Sequence, residues 1–522
     1  GYTHNNKVLP MTVVTRLALL LASIAISSSA LAQRADPEPA LAKRCPSLAA
    51  PAGTVLAKRP SWHSSEPLPA HCRVRGQIQG RTHFELRLPE SWNGRFVMAG
   101  CGGFCGSLLP DKPGFSNSIN EALKKGYAAI SHDGGHSGQS WETQWAYNDA
   151  EALELYAHKV LPVVTDVGVA LTTAFYGKAP HHRYFSGCSN GGRLGMIAAQ
   201  RYPELFDGIA AGGSIFSLSE IAGKWGNWMT RQTTHDGKPV IPRRNNDLLK
   251  DAVMAQCDGI DGQRDGIISA PQQCRPSFAA LACKSGDASE RCFTKNAIAR
   301  LERLYSGQPV PGAPPVTQTL APGAEHYTDI WLFGDDENAA WGLAASTGYR
   351  NLLSQELFQR DHNAALDHNT LAAWLDKSAL PALLDADNPD LSALAQAGGK
   401  LFLYHGWADP LIIPGPIVDY YRAAAAHSGG VDKLKNHARL FMLPGWGHCW
   451  ERPANAPDQF DPLELVANWV ETGVAPAQFT ARQLDDQQHV VRTRPICAYP
   501  NVATLSKPDS PDHAASYTCS PP

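Results

Sequence analysis

Residues 184–200 constrain the fold of this chain more than any other stretch. Tyr184-Phe185-Ser186 reads as a short strand, Gly187-Cys188-Ser189-Asn190-Gly191 as a turn, and Arg193 to Gln200 as a helix. A strand that turns into a helix within five residues needs small neighbours at both ends of the turn, and the two glycines supply them. The G-x-S-x-G spacing leaves the Ser189 hydroxyl projecting from a sheet edge. The bland alternative is a glycine-rich βα turn without chemistry. The strand before and the helix after favour an exposed nucleophile.

The rest of the chain supplies the sheet that such a corner needs. Residues 83–88 and 95–99 alternate in polarity on either side of a turn at 89–94, a strand–turn–strand. Residues 127–131 form a short apolar run. Residues 149–175 carry helical spacing through Leu153, Tyr156, Val160, Val163 and Val167, and 208–211 read as another strand. Strands alternating with helices imply a parallel sheet covered on both faces. The rhythm breaks over 216–395, which holds four cysteines and reads as an inserted lid-like domain. It returns with strands at 400–404 and 438–443 and a last helix through Leu463, Val466, Trp469 and Val470. The Pro/Ser/Asp-rich tail reads as irregular. The core is thus expected in two parts, 45–215 and 396–522, around the insertion.

Charge says little about partners: a net charge of −3 over 522 residues carries neither the basic excess of a nucleic-acid binder nor an acidic tail. The N-terminus says more. After Met11 come one cation, Arg16, an apolar run over 17–26, and Ala30-Leu31-Ala32. That is the layout of a secretory signal peptide cleaved after Ala32, so the mature chain is expected to be secreted or periplasmic, with residues 1–10 set aside as upstream sequence. No later stretch is expected to cross a membrane.

Export makes sense of twelve cysteines: Cys45, Cys72, Cys101, Cys105, Cys188, Cys257, Cys274, Cys283, Cys292, Cys449, Cys497 and Cys519. An even number in an oxidising compartment reads as disulfides, and the lack of any C-x-x-C pair counts against zinc. Short spacings point to 257–274, 283–292 and 497–519. Cys101 and Cys105 can close a small ring.

A serine hydroxyl needs a base, and behind a nucleophile elbow the partners follow in the order acid, then histidine. Asp409 follows the strand 400–404 and His448 follows the strand 438–443, both at carboxyl ends of parallel strands, where such sheets build sites. His405, His437 and Asp419 compete for these roles, and position favours Asp409 and His448. Cys188 precedes the serine and Cys449 follows the histidine. If they pair, the bond brings Ser189 and His448 together. Two backbone N–H groups are needed for an oxyanion: Asn190, next after the serine, and either Gly102 or Gly103 in the loop Gly100–Gly106 after the strand 95–99. In the insertion, Asp258, Asp261 and Asp265 with the carbonyls of Gln263 and Ile267 form an oxygen-rich set suited to Ca²⁺; a solvated turn is the equal alternative.

Taken together, Gly187-Cys-Ser-Asn-Gly-Gly-Arg193, the Asp409 turn and Gly447-His448-Cys449 resemble the tannase and feruloyl esterase family. Further matches are Trp92-Asn-Gly-Arg-Phe96, Phe175-Tyr-Gly-Lys-Ala-Pro180, Tyr202-Pro-Glu-Leu-Phe-Asp-Gly208 and Arg494-Pro-Ile-Cys-Ala-Tyr-Pro500. The resemblance implies an α/β-hydrolase fold with a large lid, a serine carboxylic ester hydrolase acting on small-molecule esters of aromatic acids, and a structural Ca²⁺ in the lid at Asp258, Asp261, Gln263, Asp265 and Ile267. It leaves open whether the substrate is a feruloyl, galloyl or mono(2-hydroxyethyl) terephthalate ester. A serine peptidase and a non-catalytic binding protein on the same fold remain rivals.

Overall fold

The structure, a computed structural model, describes residues 39–112, 118–309, 316–353 and 366–522. The upstream residues and the expected signal peptide, together 1–32, lie outside the described residues.

Eight strands precede the insertion: β1 (Thr54–Leu56), β2 (Ser61–His63), β3 (His71–Ile78), β4 (Thr82–Pro89), β5 (Arg95–Ala99), β6 (Ala128–His132), β7 (His182–Cys188) and β8 (Gly208–Gly212). Within it, β9 (Thr234–His235) and β10 (Lys238–Pro239) pair as a small hairpin. After it, β11 (Lys400–Gly406) and β12 (Ala438–Leu443) complete a sheet of order β1-β3-β4-β6-β5-β7-β8-β11-β12, with β2 beside β3. From β6 to β12 every pairing is parallel. Every residue of β6 and β8 is buried, as expected of strands covered on both faces.

The strand–turn–strand of 83–99 forms, but its halves do not pair. β6 lies between β4 and β5, antiparallel to the first and parallel to the second. The chain leaves β5 toward β6 on one side and leaves β7 toward β8 on the other. The carboxyl ends of β5 and β7 therefore flank a switch point, the place where open α/β sheets leave a crevice for ligands.

Residues 150–176 form one helical run, Ala150–Glu154, a π-turn at Leu155–Lys159, and Val160–Tyr176. Asp149 caps its start by accepting from the Ala152 N–H, and Gly177 ends it in a left-handed conformation. Contrary to expectation, this run is long and apolar enough to cross a membrane by length and composition. Its apolar face is spent on the sheet instead: Val160, Leu161, Val164, Leu171 and Phe175 are buried, and a methyl group on Gly168 would stand 2.7 Å from the Phe96 ring.

Between β8 and β11 the chain is mainly helical, with helices at Gly226–Thr233, Asn246–Cys257, Lys295–Ser306, Ala344–Leu353 and His368–Lys377. These residues build a second apolar core around Trp228, Met229, Phe278, Trp331 and Phe333, and Ala408 and Ile413 from the loop after β11 belong to it.

The tail is more regular than its composition implied. β13 (Gln478–Leu484) pairs with β14 (Val490–Cys497), and β15 (Val502–Leu505) with β16 (Tyr517–Ser520), all antiparallel. β13 begins by alternating exposed and buried residues, with Phe479 and Ala481 inward, as a strand with one wet face does.

Candidate active site

At the switch point the chain turns from β7 into the helix Asn190–Arg201 through Ser189, whose φ of 63° and ψ of −123° lie where side chains are rarely found. Contact between the flanking glycines makes the corner possible, since a Cβ on Gly187 would sit 2.6 Å from the Gly191 carbonyl. The Ser189 N–H donates to the Gly212 carbonyl at 2.9 Å, and its carbonyl accepts from Arg193 and Ile215. The side chain is left partly exposed.

Asp409 and His448 meet directly. Asp409 is fully buried; its Oδ1 accepts the Leu411 and Ile412 N–H groups at 2.9 and 2.8 Å, and its Oδ2 lies 2.8 Å from His448 Nδ1. Burial pulls the His448 pKa down, but the charge and hydrogen bond of Asp409, aided by Glu451, outweigh it and leave the imidazole above its ordinary value. A bond between Cys188 and Cys449, with Cα atoms 6.0 Å apart, ties the end of β7 to the turn carrying His448 across 261 positions. The Ser189 hydroxyl makes no hydrogen bond among the described residues. His448 Nε2 lies 3.7 Å from Cys449 Sγ. The competitors are engaged elsewhere. His405 is 3.6 Å from Asp409, but its Nε2 is held by the Ile412 carbonyl at 2.7 Å; Asp419 is exposed and bonded to Gln318; His437 stands at the far end of β12.

The loop of the candidate oxyanion donors meets the start of the helix, where Asn190 Nδ2 donates to the Cys101 carbonyl at 3.1 Å. Asn190 is buried and begins the helix, Gly102 is half-buried, and Gly103 is exposed with φ 59°. The Cys101–Cys105 bond closes this loop. A Cβ on Gly100 would stand 2.6 Å from Gly191 Cα, so only glycine lets the two backbones approach.

Two residues beside His448 have no motif to announce them. The Trp331 ring stands edge-on to the imidazole at 5.3 Å, and its Nε1–H donates to Glu451 Oε1. Glu451 Oε2 is buried without a hydrogen-bond partner among the described residues, and burial, partly offset by His448, pushes this carboxyl up to about 7. Tyr156 and Arg193, behind the oxyanion loop, were also missed as site residues. A charged residue in the first turn of an otherwise apolar helix was the available signal for Arg193. A narrow apolar cavity opens where the insertion meets the acid loop, lined by Ile215, Ile221, Trp225, Met229, Leu332, Leu343 and Ile412.

The acidic loop follows the helix Asn246–Cys257, and its carboxylates face their own backbone. Asp258 accepts from Gly266, Asp261 from Gln263 and Ser269, and Asp265 from Ile267 and the Arg494 guanidinium. Tyr517 donates to Gln263 Oε1, and Ile267 is buried. Burial raises the Asp261 pKa, its two backbone hydrogen bonds lower it, and the charge of Asp265 raises it further. The one trio of His, Asp or Glu ligand atoms within 4.8 Å of each other among the described residues is His181, His182 and Glu471, where Arg95 and Tyr184 already occupy the carboxylate.

The remaining bonds are 257–274, 283–292 and 497–519, as spacing indicated, and Cys45–Cys72, which spacing did not single out.

Known proteins share this architecture. The family described as tannase and feruloyl esterase matches residues 69–520. An uncharacterized esterase of Xanthomonas campestris is 30% identical over 90% of this chain and 86% of its own length. A mono(2-hydroxyethyl) terephthalate hydrolase of Piscinibacter sakaiensis is 30% identical over 89% and 87%. Feruloyl esterase B of Aspergillus niger is 28% identical over 86% of each. In fold, the crystal structure of feruloyl esterase B from Aspergillus oryzae superimposes with a TM-score of 0.80 at 23% identity, covering 92% of this chain and 100% of that one.

Replacing Cys188 and Cys449 together by alanine is expected to cost about 5 kcal/mol on the chain-entropy account of so long a loop, read as a lower unfolding midpoint. A non-reducing peptide map that links either cysteine to a different partner would overturn the arrangement.

Proposed function

Because the chain belongs to the tannase and feruloyl esterase family it is a carboxylic ester hydrolase, and we propose that Ser189 is its nucleophile, His448 its base and Asp409 the acid that orients the base, acting on esters of aromatic acids. The observation that carries the reading is the hydrogen bond between buried Asp409 and His448, held by the Cys188–Cys449 bond beside the strained serine.

The steps follow from the geometry. His448 Nε2 takes the Ser189 proton as Oγ attacks the ester carbonyl. Asp409 holds the ring in the tautomer with Nδ1–H and stabilises the imidazolium. The N–H of Asn190, with that of Gly102 or Gly103, receives the oxyanion. His448 returns the proton to the leaving alcohol, and water repeats the sequence to release the acid. Support for an aromatic acyl group comes from the family and from relatives named as feruloyl esterases; the apolar cavity lies one hydrogen bond from the serine backbone, through the Ile215 N–H. We read the insertion as the lid closing that cavity and the disulfide-rich chain as exported, with the relatives named as feruloyl esterase and terephthalate-ester hydrolase bounding the substrate class.

Calcium in the acidic loop is the second part of the proposal. The donor set of Asp258, Asp261 and Asp265 with the carbonyls of Gln263 and Ile267 is all oxygen, as this cation prefers, and a bound cation would offset the burial that chiefly raises Asp261 together with the lesser effect of the Asp265 charge. Its role is to fix the loop; no catalytic step passes through it.

Ser189→Ala should lower turnover of methyl ferulate, methyl gallate and mono(2-hydroxyethyl) terephthalate by roughly 10⁴-fold or more, the highest wild-type kcat/KM in that panel naming the substrate; undiminished turnover refutes the nucleophile. The pH profile offers a separate check. Because Asp409 raises the His448 pKa, wild-type kcat/KM should rise with pH through a midpoint above 6.5, and Asp409→Asn should move that midpoint down while cutting kcat by about 10⁴. Removing calcium with a chelator should lower the unfolding midpoint and re-addition restore it; a midpoint indifferent to both removes calcium from the account.

A further inference from the structure

Arg193 is fully buried, yet no carboxylate bonds to it among the described residues. Its Nε donates to Asn190 Oδ1 at 2.7 Å, Nη1 to the carbonyls of Ala157 and Leu384 at 2.9 Å each, and Nη2 to the Tyr156 carbonyl at 2.8 Å. The guanidinium also lies 4.9 Å over the Tyr156 ring. Burying a cation among neutral partners is costly, so its position asks for a reason.

The reason lies one hydrogen bond away. The Asn190 carbonyl oxygen accepts from Arg193, which turns its amide nitrogen toward the Cys101 carbonyl at 3.1 Å, with Cys105 Sγ at 3.4 Å. The Tyr156 hydroxyl stands 3.0 Å from that same Asn190 oxygen and 3.1 Å from the Gly103 carbonyl, and its single proton serves one or the other. The π-turn Leu155–Lys159 presents both the ring and two of the three carbonyls that hold the guanidinium. Both halves of the oxyanion site, the start of the helix and the loop 101–103, are thus joined by one relay that ends in a positive charge.

We infer that Arg193, acting through the Asn190 amide and steadied by Tyr156, is a positioning residue that electrostatically supports the oxyanion site. This rests on the reading of Ser189 as nucleophile. A carbonyl that accepts a hydrogen bond makes the N–H of the same peptide a better donor. The Cys101 carbonyl shares its peptide with the Gly102 N–H, so the relay reaches Gly102; the Gly103 N–H is polarised separately, through the Gly102 carbonyl that accepts from the Cys105 N–H at 2.9 Å. Negative charge forming on the substrate oxygen meets donors that are already aligned and polarised, and the guanidinium does not move.

The test compares Asn190→Ala, Asn190→Asp and Tyr156→Phe with wild type and Ser189→Ala, using aryl esters, an aryl boronic acid that forms a tetrahedral adduct, and the product acid. Each of the three relay variants keeps the N–H of residue 190. Tyr156→Phe should lower kcat about tenfold and Asn190→Ala by roughly 10-fold to 10²-fold, with KM little changed. Affinity for the boronic acid should fall in step with kcat/KM, and affinity for the product acid should not. Asn190→Asp should be worse than Asn190→Ala, because its carboxylate cancels the Arg193 charge behind the oxyanion. A purely structural tie predicts the opposite order, since aspartate has the same shape and pairs with Arg193. If Ser189→Ala is inactive while the three relay variants keep wild-type kcat, or if the aspartate is the better of the two Asn190 variants, the relay is only a staple and the inference falls alone. If Ser189→Ala retains turnover, the nucleophile reading falls and takes the inference with it.

Discussion

The geometry of the site hangs on one covalent junction, where a sulfur bridge holds two unfavourable backbone conformations side by side. Ser189 and Cys449 are non-glycine residues with φ of 63° and 54°, and each adjoins a residue the site uses. Conformations of this kind cost about 1–3 kcal/mol each and persist where the surroundings leave no alternative. On one side the alternatives are removed by β7, paired on both edges, and by glycines packed backbone to backbone. On the other, β11 and β12 fix the acid and base turns in parallel register. The bridge couples these two rigid pieces, so an error in either would be felt by both.

Around that junction the sheet order does the placing. Because successive connections leave β5 and β7 in opposite directions, nothing covers their carboxyl ends except what the loops supply, and the loops supply Gly100–Gly106 and the serine corner. The chain between β8 and β11 adds an apolar core of its own. That core includes Ala408 and Ile413, which flank Asp409. The acid is therefore seated in a loop shared by two cores. Repacking the insertion will be felt at Asp409 before it is felt at the serine.

Much of this was legible in the sequence where the information is local. The glycine spacing around Ser189, the order of acid and histidine after it, and five of the six cysteine pairs with short or flanking logic all follow from neighbours along the chain. What the sequence hid depends on crossings. Nothing near 82–99 says that β6 will slip between β4 and β5, because that placement is set by the handedness of the connection and by the helix covering it. Strands at 502–505 and 517–520 were masked by prolines and serines between them, and they exist because a bridge and a pairing partner hold them. The run 150–176 has the composition of a membrane span, and only its packing against Phe96 shows what its apolar face covers. Tyr156 and Glu451 have no motif, and the motif that ends in Arg193 gives no sign of its burial, which arises from parts of the chain far apart in sequence.

The span of the Cys188–Cys449 bond also imposes a schedule. Synthesis runs from one end, so the serine corner is complete long before its half-cystine has a mate. Asp409, His448 and Cys449 all arrive in the final quarter of the chain. Until then Cys188 is a thiol without its mate. A nascent chain, or a fragment cut anywhere within the insertion, holds the serine corner without Asp409, His448 and Cys449 and is open to mispairing, and the last hundred or so residues complete what the first two hundred begin.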